Sequence, residues 1–201
     1  MKIGDWLESK KYEFYVDITS RLIRMNGKGE QSMSVLVLNT LFEYNDEVLE
    51  LQNQICAKSE GSEVVCTKDM KISHCIGCNY CWLMTPGICT IKDDYEIIFK
   101  KILQHEKIIF ITDTKFGVVS YQTKDLLDRI LPVATMYIQF VDGQMRHVPR
   151  YDIHPQMGII YTGKAEHAYL EKWIERTTVN LFGTSLGVYS LEEGRGILSC
   201  I

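Results

Sequence analysis

Five short apolar runs, at residues 34–39, 62–67, 107–112, 157–162 and 185–190, stand out along the chain. Most lack period-two alternation, and runs apolar on both faces are the mark of buried parallel strands. Between them, apolar residues recur at helical spacing: Val48, Leu51 and Ile55; Tyr95, Ile98 and Ile102; Leu126, Leu127, Ile130 and Leu131; and Tyr169, Leu170, Trp173, Ile174 and Leu181. Strand and helix alternate, which predicts an α/β class. Local signals set the boundaries. Asp93 with Glu96 reads as a capping-box variant, Pro132 as the stop of the third helix, and Gly183 as a left-handed closure of the last.

Two segments fall outside this alternation. Residues 137–141 and 144–148 flank Asp142-Gly143, a pair that supplies the positive φ angles of a two-residue turn, so a β-hairpin is expected before the fourth strand. Residues 1–32 contain an alternating stretch (Tyr12, Phe14, Val16, Ile18) and then a linker-like Asn26-Gly27-Lys28-Gly29-Glu30. They are read as an N-terminal extension to a domain over residues 33–201. Lys28-Gly29-Glu30 can be encoded by a purine-rich ribosome-binding stretch, which places a native start at Met33 beside the alternative of an ordinary extension.

Composition narrows the function. The chain has 201 residues, 46% hydrophobic and 24% charged, enough for one sizeable core. A net charge of -4 leaves no basic footprint for nucleic acid. No stretch approaches the roughly 20 apolar residues that cross a bilayer. Seven cysteines, an odd number and mostly clustered, do not suit a secreted disulfide framework, and the N-terminus lacks an apolar signal core, so a reducing cytoplasm is expected.

Four of those cysteines fall within fifteen residues, as Cys75-x-x-Cys78-x-x-Cys81 and then Cys89. Zinc sites usually pair two separated C-x-x-C knuckles, whereas an overlapping run with a fourth cysteine is the pattern of iron-sulfur clusters. A cluster or other metal is the first expectation, with a dithiol pair or a structural loop as alternatives. Cys56, Cys66 and Cys200 read as packing residues.

The stretch from Cys75 to Arg129 resembles the iron-sulfur flavoproteins and related NADPH-dependent FMN reductases of the flavodoxin-like superfamily. The resemblance is carried by the cysteine motif, Asp93-Asp94, the strand at 107–112, Phe116-Gly117, and Ser120-x-Gln122-x-Lys124-x-x-x-Asp128-Arg129. It implies a flavodoxin-like three-layer sandwich with a five-stranded parallel sheet in the order 2-1-3-4-5. It also implies an FMN-dependent NAD(P)H oxidoreductase working as a homodimer or homotetramer, with a redox partner protein or small acceptor. FMN would meet Thr40, Asn45, Thr112, Asp113, Thr114, Lys115, Phe116 and Gly117, and a 4Fe-4S cluster would sit on Cys75, Cys78, Cys81 and Cys89. No side chain need act as acid or base, because the cofactors carry the chemistry. Lys124, Asp128 and Arg129 are read as structural, and Arg146 and Arg150 as guanidiniums near the mouth of the site.

The chain departs from that pattern after the first strand. Relatives carry a Ser/Gly/Asn-rich loop that holds the FMN phosphate at a helix N-terminus. Here the loop runs from Asn39 to Asp46 without glycine or arginine, and it carries Glu43 and Asp46. At an effective dielectric near 20, like charges ~4 Å apart repel by roughly 4 kcal/mol. The loop therefore predicts weak or rearranged FMN binding, and it keeps open a second reading, a non-enzymatic flavodoxin-like protein with a structural metal or dithiol loop.

Overall fold

In a computed structural model of the chain, the structure describes residues 34–43 and 45–201. The extension over residues 1–32 and the proposed start at Met33 lie outside them. The elements run β1 (Val35–Asn39), α1 (Asp46–Lys58), β2 (Glu63–Cys66), α2 (Tyr80–Leu83), α3 (Tyr95–Ile102), β3 (Lys107–Lys115), β4 (Val118–Val119), α4 (Tyr121–Asp128), β5 (Ala134–Val141), β6 (Gln144–Pro149), β7 (Gln156–Thr162), α5 (His167–Asn180) and β8 (Thr184–Ser190). The main sheet has the order β2-β1-β3-β7-β8, and all its neighbours are parallel. Counted among the parallel strands, this is the 2-1-3-4-5 order expected. One strand was not anticipated: β4 pairs antiparallel with the end of β3, Thr114 with Val119 and Lys115 with Val118.

The apolar runs form this sheet because both faces are covered. Val35, Val37, Ile109, Ile111 and Ile160 pack with Val48, Leu51 and Ile55 of α1 and with Ile197 of the C-terminal 3-10 turn. By strand alternation Leu36, Leu38, Ile108 and Phe110 face the other side, and all four are fully buried. Tyr95 of α3 is buried as well, and its hydroxyl donates to the Leu126 carbonyl of α4 at 3.0 Å.

Punctuation was read with mixed success. The β5–β6 hairpin forms its own two-stranded sheet before β7, with Asp142 at φ 50° and Gly143 at φ 75°. Helix α4 ends at Asp128, and Pro132 is the middle residue of a separate 3-10 turn over Leu131–Val133. At the end of α5 the left-handed residue is Phe182, at φ 60°, rather than Gly183. Gly183 is needed for a different reason: a Cβ there would lie 1.8 Å from the Pro155 carbonyl oxygen. Asp93 and Glu96 make no capping box. Asp93 accepts from the Tyr95 amide at 3.2 Å, while Glu96 pairs with Lys92 and Lys100.

The long connection from β2 to α3 is tied down by one buried cation. Arg129, the residue that ends α4, has a side chain 1% exposed and pairs with Asp93 at 2.6 Å. It also donates to the Ser73 carbonyl at 3.0 Å and the Ile91 carbonyl at 3.3 Å, and its guanidinium lies 4.4 Å from the Tyr95 ring centroid. Burial alone would raise the Asp93 pKa. Hydrogen bonds from Arg129 and the Ser73 amide, with the guanidinium charge, more than offset this and hold the carboxyl below the ordinary range. Asp93→Asn is expected to cost about 3–5 kcal/mol, because it leaves a buried guanidinium unpaired. The folded-state pKa of Asp93 is depressed, so its contribution is present above the unfolded value near ~3.9 and is lost as pH falls through the folded value. Denaturant midpoints of wild type and variant should thus converge in acid. Equal stability at neutral pH would rule out the clamp.

Candidate functional site

In an open parallel sheet, ligands lie beyond the carboxyl ends of the strands, where the strand order reverses. Here that point falls between β1 and β3. Three connections emerge on this rim: residues 40–45 after β1, residues 67–94 after β2, and residues 116–117 after β3.

The second connection brings the cysteines together. Cys75, Cys78, Cys81 and Cys89 line one hollow with Ile91, Arg129 and Pro132. Turns in the left-handed region, Gly77 at φ 66° and Asn79 at φ 57°, fold the motif back before the one-turn helix α2. Trp82 fastens this turn to the body by donating its indole N–H to the Leu131 carbonyl at 2.9 Å, and its ring lies 4.8 Å from that of His147. Cys81 is the buried member, and burial followed by the charges of Cys89, Cys75 and Cys78 pushes its thiol up to about 11. Arg129 reaches toward Cys89 Sγ at 3.5 Å, and its Nε, buried, has no partner. All four thiols are free. Among the described residues no three His, Cys, Asp or Glu side chains converge on a single-ion site. A pooled all-thiol donor set beside a buried cation fits a group carrying several metals and net negative charge better than one ion. The hollow is about 20 Å³.

The first and third connections behave differently from expectation. Thr40 and Thr112 are buried, and their hydroxyls are spent inside the protein. Thr40 Oγ1 lies 2.7 Å from Thr123 Oγ1, Thr123 donates to Thr112 at 2.9 Å, and Thr112 lies 3.1 Å from Ser120 Oγ. This chain joins β1, β3 and α4 from behind the rim. Thr123 was missed, and Ser120 entered only as part of the matched motif; their hydroxyls, three residues apart on and just before α4, were the available signal. Asn45 is the N-cap of α1, accepting from the Val48 amide at 3.2 Å.

Beyond Thr112 the chain reaches the surface. Asp113 pairs with Lys115 at 3.3 Å, and Thr114 Oγ1 sits against the Thr162 and Lys164 carbonyls at 2.9 and 2.8 Å. Phe116 is fully exposed and takes a left-handed φ of 52°. A non-glycine residue there stores about 1–3 kcal/mol of strain, a feature that clusters at ligand clamps. Gly117 is held by the Glu166 amide at 2.9 Å, and a Cβ on it would strike Glu166 Cγ at 2.7 Å. Two buried atoms nearby in sequence lack partners, Asp113 Oδ1 and Gln122 Nε2. The other predicted charges are engaged. Lys124 pairs with Asp128, Arg146 with Asp142 at 3.6 Å and with the Phe182 ring, and Arg150 donates to the Pro132 carbonyl at 3.2 Å.

No family model matches the chain. An iron-sulfur flavoprotein of Methanocaldococcus jannaschii is 37% identical over 86 residues, covering 43% of this chain and 44% of that protein. An iron-sulfur flavoprotein of Archaeoglobus fulgidus is 29% identical over 109 residues, covering 54% and 48%. The chain thus spans about half the length of the curated relatives it matches. Among solved structures, an FMN-dependent NADH-azoreductase of Bacillus anthracis in complex with FMN superposes with a TM-score of 0.51 at 9% identity, covering 83% of this chain and 96% of that one. Smu.1420 of Streptococcus mutans gives 0.51 at 13% identity, covering 84% and 96%. An NADH:FMN oxidoreductase in its apo form gives 0.50 at 10% identity, covering 84% and 87%. The chain has the flavodoxin-like fold, and the resemblance read in its sequence, to iron-sulfur flavoproteins within that superfamily, is borne out.

Proposed function

We propose that this protein is a flavin-dependent NAD(P)H oxidoreductase that passes single electrons through a cluster held by Cys75, Cys78, Cys81 and Cys89. The observation that carries the proposal is the convergence of all four thiols on one hollow, on the rim that also presents residues 113–117. The likeness to iron-sulfur flavoproteins supports the same reading. A bound flavin would accept one hydride, that is two electrons and a proton, and release the electrons singly, and a cluster would carry one electron at a time toward a protein or small acceptor.

The chain's own part is positioning. Arg129 would balance the negative charge of a cluster held on these sulfurs, and its contact with Cys89 Sγ ties that residue to the end of α4. At the ring end of the site Phe116 would supply an exposed apolar face to the flavin ring, with Asp113 and Gln122 nearby in sequence each keeping one unpartnered buried atom. FMN, as named for the neighbouring folds, is matched at this end only. At the other end Asn45 already caps α1, and Asp46 and Glu47 fill its first turn.

Assembly is part of the proposal. Met136, Ile138, Phe140 and Met145 on the β5–β6 hairpin are between 47% and 74% exposed. An isolated two-stranded sheet is marginal alone, and an apolar surface of this kind marks an interaction site. A second copy of this chain covering it would give the expected homodimer or homotetramer.

Protein purified anaerobically and reconstituted with iron, sulfide and flavin should show both flavin and cluster absorbance, and NADH or NADPH should bleach the flavin band. Cys81→Ser should lose most of the bound iron while the flavin band persists. Absence of both chromophores from the wild type would falsify the proposal. In sedimentation, Phe140→Glu with Met145→Glu should shift the assembly to monomer with the far-ultraviolet spectrum retained, and a monomeric wild type would remove the assembly reading.

A further inference from the structure

The parts of the rim after β1 and after β3 differ in charge, and this bears on which flavin can lie across it. A helix N-terminus after the first strand is the natural seat for a phosphate, through free amides and the helix dipole. Helix α1 is long enough for that role, with 13 residues, but its N-cap side chain already engages its first turn. The Val48 amide is taken by the Asn45 side chain at 3.2 Å. In the loop before it, the Thr40 amide donates to the Ile111 carbonyl at 2.9 Å and the Leu41 amide to Asn39 Oδ1 at 2.9 Å. The Thr40 hydroxyl is buried against Ile111 and Thr123. The Thr40 and Leu41 amides and the Thr40 hydroxyl are therefore committed elsewhere, while the buried Asn39 Nδ2 keeps an unmet donor.

Negative charge occupies the space that remains. Glu43 is exposed beside the helix start, and Asp46 and Glu47 stand in the first turn, where they complement the dipole themselves. Glu47 and Glu50 continue into a notch lined also by Leu51, Leu191, Glu192 and Arg195. Arg195 is the one cation among those lining residues, and Glu50 holds it at 3.2 Å. No glycine between residues 39 and 46 lets the backbone wrap an anion. The ring end, by contrast, keeps the unmet Asp113 Oδ1, the unmet Gln122 Nε2 and the exposed Phe116.

We propose that this rim selects a flavin without a terminal phosphate, binding riboflavin in preference to FMN, with Glu43, Asp46 and Glu47 as the residues that reject the phosphate. The inference rests on the flavin reading above and specifies its ligand. A hydroxyl-terminated ribityl chain needs no cation and suffers no repulsion from these carboxylates, whereas a phosphate dianion seated at the start of α1 would be repelled by Asp46 and Glu47 of the first turn and by Glu43 of the loop.

The test titrates the full chain, reconstituted with iron and sulfide, against riboflavin and FMN separately, following quenching of flavin fluorescence. At low ionic strength riboflavin should bind at least about tenfold tighter than FMN, and the gap should narrow as salt screens the carboxylates. In the triple variant Glu43→Gln, Asp46→Asn, Glu47→Gln the ratio of the two constants should fall toward one. FMN binding as tightly as riboflavin, or a ratio indifferent to salt and to the variant, overturns the selectivity and leaves the flavin reading standing. Failure of both flavins to bind overturns that reading and the selectivity with it.

Discussion

The arrangement of the rim depends on a guanidinium buried where α4 ends. A side chain of this charge is rarely taken out of water unless most of its donors are met, and here Asp93, two carbonyls and a cysteine sulfur meet them. The partners come from both ends of the 67–94 connection, so one cation fixes a segment that has little regular structure of its own. Tyr95 stacks against the guanidinium and also bonds to α4, which makes the start of α3 part of the same assembly. Four thiols can be pooled without a disulfide because the segment that carries them is anchored elsewhere.

Much of the architecture was legible in the sequence, for a physical reason. Strands buried on both faces must be apolar throughout, so β1, β3 and β7 announced themselves, and the left-handed angles of Asp142 and Gly143 needed only that pair of residues. Side-chain destinations were less legible. Nothing in the order of residues shows that Thr40 and Thr112 turn inward, because a threonine is equally at home on a buried strand and at a ligand. Gly183 was read as a left-handed residue, yet it serves close packing against Pro155, a contact with a segment 28 positions away in the chain. The pairing of Arg129 with Asp93 is of the same kind. Both residues belong to the matched motif, but their contact exists only once α3 and α4 are laid side by side.

The rim is built from two chemically opposed halves. On the β2 side soft sulfur donors gather near a cation; on the β1 side carboxylates crowd a helix start that has already been capped. Between them the end of β3 presents a strained, fully exposed phenylalanine. A ligand lying across this rim is pulled toward one half and repelled from the other.

The hydroxyl chain behind the rim adds a directional element. Thr123 donates to Thr112, and Thr112 in turn reaches the Asp113 carbonyl at 2.8 Å, so each hydroxyl spends its single proton on the next group. The bond dipoles line up head to tail from the end of β1 toward the surface stretch of β3, and neighbours in such a line polarise one another. Thr40 stands at the head, choosing between the Ile111 carbonyl and Thr123 for its own proton. When Thr40 donates to Thr123, the line of hydroxyl dipoles runs unbroken from the end of β1 to the Asp113 carbonyl, which the Ser120 amide also holds at 3.0 Å.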